Sequence, residues 1–93
     1  MKAQRFASVW DAIEANPAQA ENLKIRSTIM SALKAHIDRK GWSQAEAAEH
    51  MGVTQPRVSD LTRGKITLFS LDTLVNMATA AGLRVKVQIA KAA

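Results

Sequence analysis

At 93 residues with 47% hydrophobic content, the chain is sized for one small domain whose single core is modestly stable, so association between copies is expected. A formal charge of +5 and an isoelectric point near 10.1 point to an anionic partner, nucleic acid or an acidic protein surface, against the plainer reading of solubility charge. With no cysteine, disulfides and thiolate metal sites are excluded; no apolar run reaches the ~20 residues of a membrane span or forms a signal-peptide core, so a cytoplasmic protein is expected.

Phe6, Val9, Trp10 and Ile13 recur at helical spacing and predict an amphipathic helix over residues 6–15. Its apolar stripe needs covering, either by its own domain or by a partner protein docking on Phe6 and Trp10. Asn16-Pro17 then reads as a cap followed by proline at the first helical position, opening a long helix to Lys40. Leu23, Met30, Leu33 and Ile37 form its inward stripe with Ile29 beside it, and Gly41 ends it. Trp42 is expected to pack under the following turn. The helix is basic at Lys24, Arg26, Lys34, Arg39 and Lys40; the last two sit in its last turn, where cations complement the helix dipole.

Trp42 to Lys65 reads as two short helices joined by a tight turn. Ser43 and Glu46 make a capping box for the first, and Gly52 can adopt the left-handed conformation that closes it. Thr54 is a preferred cap for the second, Pro56 is tolerated in its first turn, and Gly64 can stop it after Arg63. Ala47, Ala48 and Met51 face Val58 and Leu61 across the pair. The outer face of the second helix then carries Pro56, Ser59, Asp60 and Arg63, with Gln55 leading and Arg57 on the flank. A helix-turn-helix presents such a polar second helix to the DNA major groove.

Lys65 to Phe69 is expected to be a connecting loop, with Phe69 an apolar anchor. Ser70 can cap a further helix from Leu71 to Ala81, whose Leu71, Leu74, Val75 and Ala78 face the core before Gly82 closes it. From Leu83 to Ile89, apolar Leu83, Val85, Val87 and Ile89 alternate with Arg84, Lys86 and Gln88, which predicts a half-buried strand. No second strand is evident, so this one needs the same strand of another subunit or a strand of a partner; an antiparallel pair across a two-fold axis is favoured.

The run Ser43-Gln-Ala-Glu-Ala-Ala through Gly52-Val-Thr-Gln-Pro-Arg-Val-Ser-Asp-Leu to Arg63-Gly-Lys resembles the lambda-repressor-like (XRE-type) helix-turn-helix domains. Phe69-Ser-Leu-Asp-Thr-Leu and Ala80-Ala-Gly-Leu are similar to the small HigA-type antitoxins within that group. With Ser8-Val-Trp-Asp-Ala-Ile-Glu and the basic tail, the likeness spans most of the chain. It implies a mainly α fold: one helix-turn-helix domain over 1–93, with an N-terminal amphipathic extension (1–16) and a C-terminal strand and tail (83–93) paired across a homodimer. The implied partner is double-stranded DNA carrying a pseudo-palindromic operator, with half-sites about one helical turn apart. The implied function is a transcriptional repressor, an antitoxin that controls its own operon and neutralises a small ribonuclease toxin of the RelE or HigB type. A stand-alone phage-type or housekeeping repressor is the alternative, and a protein-interaction module that has lost DNA binding a third.

Side-chain chemistry assigns roles within that reading. Gln55 suits a bidentate contact with adenine and Arg57 one with guanine, each worth ~1–3 kcal/mol of discrimination; Pro56 can touch a thymine methyl and Ser59 can bond a base or phosphate. Asp60, three residues after Arg57, is expected to hold that guanidinium in place. Gln44, Thr54, Arg63 and Lys65 are expected on phosphates, where they set affinity and salt dependence. No enzymatic constellation competes: His36 and His50 are far apart in sequence, and there is no Gly-rich phosphate loop or nucleophile elbow, so neither metal nor cofactor is expected.

Overall fold

A computed structural model describes residues 16–92 of the chain. Four α-helices follow one another: α1 (Pro17–Lys40), α2 (Gln44–Met51), α3 (Gln55–Thr62) and α4 (Leu71–Ala80), with a 3-10 turn at Ile66–Leu68 between the last two. The helix expected over residues 6–15, with its Phe6 and Trp10 stripe, lies outside the described residues.

The helix boundaries follow from local backbone chemistry. Asn16 accepts from the Gln19 N–H at 3.1 Å with Pro17 in the first turn, and Gly41, at φ +67°, turns the chain out of α1 as Trp42 N–H closes back on the Ile37 carbonyl. The α2 capping box is complete: Glu46 N–H donates to Ser43 Oγ at 3.1 Å, and Ser43 N–H donates to Glu46 Oε1 at 2.8 Å. Ser70 caps α4 by accepting from the Thr73 N–H. Thr54 occupies the cap position of α3, but its hydroxyl makes no capping bond, which leaves it available at the exposed end of that helix.

One core joins all four helices. Ile29, Met30, Leu33 and Ile37 of α1 meet Ala47, Ala48 and Met51 of α2, Val58 and Leu61 of α3, and Leu74, Met77 and Ala78 of α4, while Phe69 is the largest side chain to be almost completely enclosed. Leu23 is buried as the inward stripe predicts. Met77, absent from the predicted face of α4, completes it in place of Leu71 and Val75, which are only partly covered. Ala47 and Ala48 are the small residues that let α2 lie against its neighbours; a larger side chain at either would force the helices apart.

Trp42 gathers two histidines that the sequence keeps apart. Its ring stacks on His50 at 4.0 Å with an 8° interplanar angle and meets His36 edge-on at 5.3 Å. His36 is buried with its Nδ1 3.3 Å from Arg39, so both histidines serve packing. Arg39 is thereby held against the end of α1.

The C-terminal segment departs from expectation. Leu83–Ile89 form no strand among the described residues. Leu83 and Val85 pack partly against the core, whereas Val87 and Ile89 are 77% and 89% exposed. The alternation marks one face in need of cover, but a strand exists only through hydrogen bonds to a neighbour, and the described residues supply none. Among the described residues no helix is long and apolar enough to cross a membrane, and no cluster of His, Cys, Asp or Glu could hold a metal ion.

Candidate nucleic-acid interface

The pair α2 and α3 packs through Ala47, Ala48, Met51, Val58 and Leu61, all buried, with Gly52 at φ +69° making the turn between them. Burial of Val58 and Leu61 fixes the rotation of α3 about its own axis. What remains outward is therefore determined: Thr54, Gln55, Pro56 and Arg63 are exposed, Ser59 and Asp60 half-exposed. Gln44, at the first position of α2, is exposed too. Gly64 at φ +73° redirects the chain so that exposed Lys65 leaves the end of α3.

The side chains singled out on this surface are mainly donors and cations. The exception is Asp60, whose carboxylate lies 3.7 Å from the Lys65 ammonium. The ion pair expected between Asp60 and Arg57 is not formed. Arg57 instead turns along the flank of α3, donating to the Leu68 carbonyl at 3.0 Å with its guanidinium 4.2 Å from the centre of the Phe69 ring. Lys65 is nearer to Asp60 because its backbone N–H already donates to the Asp60 carbonyl at 3.1 Å, drawing the two residues together.

Of the residues singled out from sequence, Gln44, Thr54, Gln55, Ser59, Arg63 and Lys65 share the exposed region formed by the starts of α2 and α3 and the end of α3. Arg57 does not point into it. Arg26, read from sequence only as one of several basic residues of α1, reaches the turn after α3 and donates to the carbonyls of Ile66 and Phe69, both at 3.2 Å. A contact between positions 40 or more apart leaves no local signal in the sequence.

Chemically, the exposed region can do two things. Arg63, Lys65 and the free Thr54 hydroxyl can meet a polyanionic backbone, and the starts of α2 and α3 add the positive ends of two helix dipoles. Gln55, at the first position of α3, offers a donor and an acceptor side by side on a short stem, the pattern complementary to an adenine edge.

Comparisons with known proteins agree with this geometry. A family model described as a helix-turn-helix domain matches residues 12–90. A solved structure described as a candidate XRE family transcriptional regulator is 37% identical, with a TM-score of 0.72 over 78% of this chain and 82% of that one. No curated protein gives a significant match.

Proposed function

The chain belongs to the helix-turn-helix domain family, and on that premise we propose that it is a sequence-specific DNA-binding transcriptional repressor that acts as a homodimer on a pseudo-palindromic operator. The observation that carries this reading is the division of α3: Val58 and Leu61 are fully buried while Gln55, Pro56 and Arg63 stand exposed beside Thr54 and Lys65. In this reading Gln55 and Ser59 contact bases, and Gln44, Thr54, Arg63 and Lys65 contact phosphates. The second copy is supported by Val87 and Ile89, apolar residues that the described part of one chain leaves exposed.

The finer role is that of an antitoxin repressing its own operon, with a small ribonuclease toxin of the RelE or HigB type as protein partner. The likeness of Phe69-Ser-Leu-Asp-Thr-Leu and Ala80-Ala-Gly-Leu to HigA-type antitoxins supports it. A neighbouring reading frame whose product co-purifies with this chain and is toxic alone would establish the role; a solitary gene would leave a stand-alone repressor.

The test of DNA binding compares the gene's own upstream DNA with a scrambled duplex across a salt series. A preference of ~1,000-fold or more near physiological salt is expected for a specific repressor. Equal binding of the two duplexes would refute recognition of that operator.

A further inference from the structure

The turn that follows α3 is held by two guanidinium groups arriving from different helices. Arg26 of α1 spans the Ile66 and Phe69 carbonyls, and its Nε is anchored on Asn22 Oδ1 at 2.6 Å. Arg57 of α3 takes the Leu68 carbonyl between them and lies against the Phe69 ring. A three-residue 3-10 turn has few backbone bonds of its own, and the planar, forked guanidinium is the side chain best able to satisfy several carbonyls while lying flat on an aromatic face. Phe69 is itself buried in the core, so the turn is fastened at its carbonyls and at its ring.

Arg57 therefore faces two incompatible demands. A bidentate contact to guanine needs the guanidinium turned edge-on into the groove. Meeting it would release Leu68 and uncover Phe69. We propose that Arg57 is a positioning residue and not a base reader: with Arg26 it locks the turn from Gly64 to Leu68, so that Lys65 is presented to the DNA backbone in one orientation. This rests on the DNA-binding reading above. Lys65 is the residue through which the lock acts, because its N–H is tied to the Asp60 carbonyl on one side and its own carbonyl accepts from the Leu68 N–H at 3.0 Å on the other. Sequence readout then falls to Gln55 and Ser59, with Pro56 able to touch a thymine methyl, which predicts half-sites centred on A·T pairs.

Two measurements on the full chain test this. The first is amide hydrogen exchange at Leu68 and Phe69 in the absence of DNA, in wild type, Arg57→Gln, Arg57→Lys and Arg26→Gln. Faster exchange confined to the turn is expected in both glutamine variants, with Arg57→Lys closer to wild type because its stem still covers the ring. The second is binding to the operator and to a panel in which each base pair is replaced in turn. Arg57→Gln is expected to weaken every duplex by roughly the same factor, on the order of 10-fold, without changing their ranking. In a Lys65→Ala background the same substitution should cost little more, a coupling that general destabilisation would not produce. Lost preference at a single base pair, or an undiminished cost without Lys65, would overturn the proposal. If wild type shows no operator preference, the DNA-binding reading itself fails, while unchanged exchange at Leu68 and Phe69 would still refute the lock.

Discussion

Gln55 and Arg57 stand two positions apart on α3 and have opposite surroundings. Gln55 opens the helix, exposed, and its side chain makes no hydrogen bond among the described residues, so both groups of its amide are free for a base edge. Gln55→Ala should flatten the preference at one A·T pair by ~1–3 kcal/mol, measured as the change in the ratio of affinities for matched and substituted operators. An equal loss on all sequences would instead place Gln55 on the backbone. Arg63 carries the contrasting expectation. It is exposed and unpaired among the described residues, and Arg63→Ala should weaken binding to all duplexes while reducing the slope of log affinity against log salt by about one unit. Titrating both variants over the same salt range separates the two roles, because only the phosphate contact releases counterions.

At the scale of the element, what could be read from the sequence was whatever depends on near neighbours. Asn16, Ser43 and Ser70 each cap a helix through an N–H three residues away, and Gly41 and Gly52 close helices by adopting a conformation that side chains resist. Those are local bargains between a side chain and its own backbone, so a stretch of four residues suffices to recognise them. The 3-10 turn was legible only as a loop, because its support comes from Arg57, 11 residues before Leu68, and from Arg26, 40 before Ile66. The orientation of Arg57 was missed for the same reason: the spacing to Asp60 suggested a helical pair, whereas the tertiary carbonyl and the Phe69 ring won. Caps can be weighed singly. Ser43→Ala removes one half of the reciprocal bond that starts α2 and should lower stability by ~1 kcal/mol in denaturant unfolding, with no change in the slope of the transition. A loss near zero would show that packing through Ala47 and Met51 sets the start of α2 without help from its cap.

Over the described residues as a whole, four helices share one core, and the residue pattern that implied a strand marks an apolar face left open. Leu83 and Val85 settle on the core of their own chain, but nothing among the described residues covers Val87 and Ile89. Alternation in sequence reports that one face is apolar and is silent on what it meets, which is why the strand could be predicted and not found. If a second copy covers that face, replacing both exposed residues, Val87→Lys with Ile89→Lys, removes the apolar contact and adds like charges across the two-fold axis while leaving the core around Phe69 and Leu74 untouched. Wild type should then sediment as a dimer and the double variant as a monomer with helical content unchanged. Operator affinity should fall steeply, because two linked recognition helices gain ~100-fold or more from effective concentration that a monomer lacks. The protein adds positive charge in this variant, so nonspecific binding at low salt should rise as specific binding falls; the opposing signs distinguish lost dimerisation from a general loss of affinity. A variant that stays dimeric would move the interface away from the C-terminal segment altogether.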